Sequence, residues 1–505
     1  MNKQILSILS LSILLIGSVL SATIDCTVTK KVTGCVDQKC PDIQSCITSF
    51  ASNYNILNIY VDGSEGSFPC KQSETESLQI NSTVSITIQP KNSKHIPLFV
   101  CEFANSFLRI QSGYSTIQLS IYSINITGQN FYGYNRGSYI SVYTPINFET
   151  QNYVNLYNVT MTNAVANNVL TLQNYEAGSL SVQNFNLNLQ GCIIDKSSGV
   201  GYGASSILFV GGTLIITSSS ITNGNSLNGP AVTFNGEGLA VTNSYFKYNS
   251  GYSVFNAYAS IYVSFAQSSF EFNQGLYGGA ILTQSEAIYV TQTTFNSNTA
   301  TNGGAIYIRS LSDSYHYDTY SFRGSNFVNN TASAYGGAMY IEQSSNYYFP
   351  ETIFELNSAS SGSDIFFYKI SLSFYNGVFM NPISNSYYSE YPSFPSWVVD
   401  MSIIETNVDS CQDNYQLLVN NNVNTCIMVS YRTPSSSSSS FSEESSSFSS
   451  ESESTSESTS ESTSEPSQRD SDGTATAISL TIASIIGFVS LVSFLTAVII
   501  ASRDN

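Results

Sequence analysis

An all-β fold, a parallel β-helix, is predicted by three observations on this 505-residue sequence. First, one unit recurs: "FKYNSGYSVF" from Phe246, "FEFNQGLYGGAILT" from Phe270, "FNSNTATNGGAIYI" from Phe295, "FVNNTASAYGGAMYI" from Phe327 and "FELNSASSGSDIFF" from Phe354. The Phe-to-Phe steps are 24, 25, 32 and 27 residues, and a near-constant period with insertions confined to one place marks a stacked repeat. Second, every unit joins short β-branched and aromatic runs through Asn, Gly and Ser turns, without the period of a helix. Third, so small a coil can bury its inner face only against the coils above and below, which stacks equal positions at a strand spacing of about 4.8 Å.

The elements follow in chain order. "MNKQILSILSLSILLIGSVLSA" sets Lys3 before an apolar run and ends in small residues, which predicts a secretory signal peptide over 1–22. Residues 23–70 read as a Cys-rich N-terminal cap. Within it Ile43, Cys46, Ile47 and Phe50 share one face of a short helix, and "LNIYVD" reads as a first strand. A helix there covers what would otherwise be a bare sheet edge. The coils fill 71–399, and 400–432 form a C-terminal cap in which Cys411 and Cys426 pair across a short loop. Residues 433–473 hold nine Asp or Glu against one Arg in a Ser-rich tract. With almost nothing to bury, that tract cannot offset its ordering entropy and is expected to be a disordered, extended stalk. The 27 uncharged residues of Ala475 to Ala501 suit a transmembrane helix, since about 20 apolar residues span a bilayer. Residues 502–505 then form a cytoplasmic tail carrying Arg503. A glycolipid-anchor signal is the rival reading, supported by the small residues of "SDGTA" but lacking the polar spacer.

Export and the absence of His near the close spacings "CVDQKC" and "CPDIQSC" favour disulfides over metal ligation for Cys26, Cys35, Cys40, Cys46, Cys70 and Cys101, with the pairing left open. Cys192 stands alone and is expected as a buried thiol.

Stacking assigns roles within the unit. Phe246, Phe270, Phe295, Phe327 and Phe354 form an inward aromatic ladder, and Asn249, Asn273, Asn298, Asn330 and Asn357 a turn ladder whose amides bond along the axis. The pairs Gly278-Gly279, Gly303-Gly304 and Gly336-Gly337 supply turning that a Cβ would obstruct. Beyond them Ile281, Ile306, Met339 and Ile365 point inward, so Leu282, Tyr307, Tyr340 and Phe366 point outward as an exposed strip.

Phe-x-x-Asn followed by Gly-Gly-Ala-Ile resembles the repeats of the chlamydial polymorphic membrane proteins, over about Phe246 to Phe367. The unit at Phe354 replaces the second half by Gly362-Ser363-Asp364-Ile365, and the unit at Phe246 lacks the glycine pair. The chlamydial family ends in an outer-membrane barrel; an apolar run stands here instead, so that secretion route does not carry over. The architecture and its N-terminal segment also resemble the pectin-lyase-like superfamily, which implies a right-handed coil.

A net charge of −18 with sparse Lys and Arg argues against nucleic acid as a partner. Polysaccharide-cleaving relatives in the pectin-lyase-like superfamily carry acids, or acids with Arg or Lys, on consecutive coils. Here no such pair recurs at the coil period, so no catalytic residue, cofactor or metal is expected. Asp313, His316 and Asp318, in the loop that lengthens one coil, are the best alternative site and also a candidate binding loop beside the strip. Sequons stand at Asn81, Asn125, Asn158 and Asn329. Together these readings predict a single-pass plasma-membrane glycoprotein whose extracellular β-helix recognises a glycan or a protein. A carbohydrate-cleaving enzyme and an inert coat protein are the alternatives.

Overall fold

The structure is a computed structural model. It describes residues 22–428 apart from 74–76, 103–104, 114, 129–137, 146–151, 169–176, 202–203, 310–318, 343–345, 350, 369–372, 376, 381–386, 390–403, 407–414 and 421–422. The signal-peptide, stalk, membrane-run and tail assignments and the Cys411–Cys426 pair therefore lie outside the described residues. Among the described residues no helix is long and apolar enough to cross a membrane.

The chain is mostly β. A 22-stranded sheet and a 13-stranded sheet, both parallel, run the length of the described region, an arrangement consistent with a β-helix. Short parallel ribbons such as Thr299–Asn302 against Thr331–Tyr335 close the third side. In the 13-stranded sheet each strand is typically three residues long and lies squarely on the next: Phe246 on Phe270, Phe270 on Phe295, Phe295 on Phe327 and Phe327 on Phe354. The same inward column continues upstream through Ile221, Ile194, Met161, Ile126, Phe99 and Phe68. The five repeat phenylalanines are fully buried, with stacked centroids 4.7–5.1 Å apart. Burial is worth about 1.5–3 kcal/mol for each such side chain, and ring stacking about 0.5–1.5 more per pair.

The strand is short because it is clamped between two left-handed corners. Positive φ recurs at pairs such as Asn243 and Tyr248, Gln267 and Phe272, Gln292 and Ser297, and Gly324 and Asn329. Just after the second corner lies the asparagine ladder, buried throughout. Each Nδ2 donates to the next Oδ1, from Asn249 to Asn273, Asn298, Asn330 and Asn357, at 2.9–3.1 Å. Just after the first corner a hydroxyl ladder runs parallel to it. The backbone N–H groups of Ser219, Ser244 and Thr293 donate to the hydroxyls of Ser244, Ser268 and Ser325 respectively, at 3.1–3.2 Å. Cys192 heads this ladder, its N–H donating to the Ser219 hydroxyl at 3.0 Å. Its thiol is free and buried, and burial pushes it up to about 11, which leaves it protonated and unreactive.

Each glycine of the pair has its own reason. Gly278, Gly303 and Gly336 have φ of 62–64°, a left-handed conformation that costs other residues energy. A Cβ on Gly279, Gly304 or Gly337 would overlap the backbone carbonyl of Gly304, Gly337 or Ser363 in the next coil. Ile281, Ile306, Met339 and Ile365 are buried in the main core as expected.

At the start of the chain, Thr23–Val28 and Ile56–Val61 pair in register with each other, and Ile56–Val61 with Val84–Pro90. The Cys-rich segment thus supplies the first strands as well as the helix α1, Ile43–Phe50. The Asp42 carboxylate caps α1, accepting from Ser45 N at 2.7 Å, and Ile43, Cys46 and Ile47 are buried against the first strands. The disulfides left open by the sequence are Cys26–Cys46, Cys35–Cys40 and Cys70–Cys101. Cys26, Cys40 and Cys46 lie close enough together for a metal, but each is spent in a disulfide. At the other end Tyr415–Asn420 and Val423–Met428 form an antiparallel hairpin.

Candidate binding surface

Leu282, Tyr307, Tyr340 and Phe366 do form one column, in strands paired residue on residue. Tyr307 and Tyr340 stack at 4.7 Å, and Tyr340 and Phe366 at 5.2 Å. The column belongs to a cluster separate from the main core, as alternation requires. The expectation that it is exposed is overturned: Tyr307 is 8% and Tyr340 7% accessible, with Leu282 and Phe366 lower still. The cover comes from tyrosines beside the glycine turns. Tyr277, immediately before Gly278, packs edge-on to Tyr307 at 5.2 Å. Tyr335, immediately before Gly336, lies 4.6 Å from Phe366, and Tyr252 and Tyr368 pack on the same cluster. The left-handed glycine turns the chain at the corner, and the ring before it packs against the column, making a second, smaller core. Alternation shows which side of a strand a residue occupies; it carries no information about what covers that side.

Within this second core Tyr307 Oη donates to Glu342 Oε1 at 2.5 Å. Burial first, then that hydrogen bond, keeps the Tyr307 hydroxyl protonated far above the ordinary tyrosine value of 10.0. A raised pKa in the fold means that Tyr307 supports stability fully below about pH 10 and loses that support as the pH climbs further. Tyr307→Phe is expected to cost about 1 kcal/mol at neutral pH through the lost bond, and to flatten the alkaline decline. Tyr139, also pushed up by burial, leaves a residual slope. Urea midpoints at neutral pH and at about pH 11 check this; a variant with the wild-type alkaline slope contradicts it.

The other sequence-predicted positions separate. Asp313, His316 and Asp318 lie outside the described residues. Asn81, Asn158 and Asn329 are exposed, whereas Asn125 is half-buried at the start of a strand. Asn329 sits on a corner with φ 55° and donates from Nδ2 to the Ser297 hydroxyl at 3.0 Å.

Two of the most exposed aromatic rings lie on the outer face of the 13-stranded sheet. Tyr248 and Phe272 occupy its second corner in consecutive coils, with φ of 56° and 51°, 53% and 44% exposed and stacked at 5.5 Å. Left-handed backbone costs a bulky residue about 1–2 kcal/mol; Asn163, Asn223 and Asn329 fill this corner in other coils, and Leu356 takes it without a bulky neighbour in the preceding coil. Lys247 Nζ lies 4.9 Å from the Tyr248 ring centre and 5.1 Å from that of Phe272, and pairs with Glu271 at 3.2 Å. Glu271 also accepts from Tyr245 Oη at 3.0 Å and from the Ser269 hydroxyl at 2.9 Å. Hydrogen bonds with Tyr245 and then Glu271 hold the Lys247 ammonium above its ordinary value. Burial pushes the Glu271 carboxyl up, but its bonds to Ser269, Lys247 and Tyr245 outweigh this and hold it below its ordinary value. Toward the first corner the same face forms a shallow trough lined by Asn243, Tyr245, Gln267, Ser269, Gln292 and Thr294. The sequence carried one signal of this face, an aromatic residue two positions after Phe246 and again after Phe270, where other coils have Ser, Asn or Leu.

Residues 292–309 match the Chlamydia polymorphic membrane protein repeat. The match spans one coil, including Phe295, Asn298 and the Gly303-Gly304 pair. No curated protein matches the chain.

Proposed function

We propose that the chain is a single-pass cell-surface glycoprotein whose right-handed, pectin-lyase-like β-helix is held off the plasma membrane by a Ser/Glu-rich stalk and recognises a glycan or protein without cleaving it. The observation that carries this is the register of the 13-stranded sheet. Residue-on-residue pairing from Phe68 to Thr406 turns each outward position into a straight column, a long regular surface suited to an extended or repeated ligand. The similarity of one coil to a repeat of membrane proteins, the apolar run Ala475 to Ala501 and the N-terminal leader support the surface placement.

Two measurements test it. Protease added to intact cells is expected to release a fragment ending between Thr433 and Gly473 and leave a small membrane-bound stub. Release by a glycolipid-specific phospholipase instead would replace the membrane helix by a lipid anchor. Cells displaying the chain are expected to attach to glycan- or cell-coated surfaces better than cells lacking it; equal attachment favours an inert coat, and product release from glycans favours an enzyme.

A further inference from the structure

We propose that the outer face of the 13-stranded sheet around Tyr248 and Phe272 is a binding site for a neutral glycan; this rests on the recognition reading above and names its place and ligand class. Backbone strain draws attention to the site. Two bulky rings are held in left-handed backbone in consecutive coils, open to solvent, at a corner that Asn163, Asn223 and Asn329 fill in other coils and that Lys196, Ser297 and Leu356 take singly. Strain that the fold does not need clusters at functional positions.

The chemistry around the rings selects the ligand. Lys247 is matched by Glu271 at 3.2 Å, so the charged pair beside the rings offers no net charge with which to choose an anion or a cation. Across the strand from the rings, toward the first corner, stand amides and hydroxyls: Gln267 Nε2 donates to Gln292 Oε1 at 3.3 Å, and Ser269 and Thr294 line the same trough. A neutral sugar meets both halves of the site. Its C–H face covers an aromatic ring, and its hydroxyls exchange hydrogen bonds with amides, hydroxyls and the Lys247–Glu271 pair.

The test uses the full chain displayed on cells and a panel of fluorescent neutral oligosaccharides built from glucose, mannose, galactose and N-acetylglucosamine. At least one probe is expected to bind. Tyr248→Gly combined with Phe272→Asn is expected to weaken it tenfold or more, and to leave the melting temperature unchanged or raised, because Gly and Asn accept the left-handed corner. Gln267→Ala with Gln292→Ala is expected to weaken the same probe several-fold, whereas Tyr289→Ala, exposed on the other sheet, leaves it unchanged. The proposal is overturned if no probe binds, if this double variant binds as wild type, or if it melts lower, which would make the rings a structural clamp. Cell attachment that persists while no oligosaccharide binds also overturns it, points to a protein ligand and leaves recognition itself standing.

Discussion

Gly304→Ala is expected to destabilise the chain by about 3 kcal/mol or more, at the upper end for an inserted methyl group. The added Cβ overlaps the Gly337 carbonyl oxygen and comes within 2.7 Å of the Thr331 backbone nitrogen. Neither can move aside cheaply. Thr331 N donates to the Asn298 carbonyl at 2.9 Å, and Gly304 N to the Gly336 carbonyl at 3.0 Å, so a shift that frees space breaks bonds between coils. Nor is there slack in the next layer, because Gly337 is equally tight against the Ser363 carbonyl. Gly324 provides the contrast. It has φ of 58°, but an added Cβ would meet nothing nearer than the Gln292 side chain at 3.6 Å. Gly324→Asn, with a residue that tolerates this conformation, is expected to change stability by less than about 0.5 kcal/mol. Urea unfolding of the two variants checks the pair, and equal costs would mean that coil spacing adjusts freely.

These glycines show what a sequence can disclose about a stack. A column announces itself when it demands one residue type, as the ring column demands Phe, the ladder Asn and the close approach Gly; those were legible from one pass along the chain. The hydroxyl ladder was not. Ser244, Ser268, Thr293 and Ser325 each stand two residues before a repeat Phe, but in a chain so rich in Ser and Thr that signal is lost. Upstream the ring column accepts Ile221, Ile194 and Met161, because an inward site asks only for apolar bulk, and the motif fades although the coils continue. The candidate site fared worse for a related reason. Burial of Tyr307 and Tyr340 depends on Tyr277 and Tyr335, which belong to other strands or turns and reach the column only through the glycine reversal. The corners at Tyr248 and Phe272 lack the Gly or Asn that marks left-handed backbone.

One departure from the motif gains a physical account. Asp364 stands where other units have Ala, and its carboxylate accepts from Asn357 Nδ2 at 2.8 Å. Register puts Phe379 on Phe354, and three residues beyond Phe379 the sequence has Pro382 rather than Asn. Asp364 therefore supplies, from within its own coil, an acceptor for the Asn357 amide where the sequence offers no further asparagine at the ladder position.

Asn298→Leu tests the ladder at its middle and is expected to cost about 3–5 kcal/mol. Four bonds go with the amide. Nδ2 donates to Asn330 Oδ1 at 3.0 Å and to the Phe270 carbonyl at 2.9 Å. Oδ1 accepts from Asn273 Nδ2 at 2.9 Å and from the Asn273 backbone N–H at 3.1 Å. Each bond is worth about 1 kcal/mol net, and a buried donor left unsatisfied costs about 1–3. Two losses have a substitute, because Asn330 Oδ1 keeps the Asn298 backbone N–H and Asn273 Nδ2 keeps the Phe246 carbonyl. The backbone N–H of Asn273, in a residue 1% accessible, keeps nothing, and it carries the largest share of the penalty. Asn302→Leu is the matched control: Asn302 is half-buried and its Oδ1 has no hydrogen-bond partner among the described residues, so the change is expected to cost less than about 0.5 kcal/mol. Urea midpoints measured together on the two variants decide the matter. A large gap assigns the stability to the ladder bonds, whereas equal midpoints would show that the leucine packs well enough in the turn column to replace them.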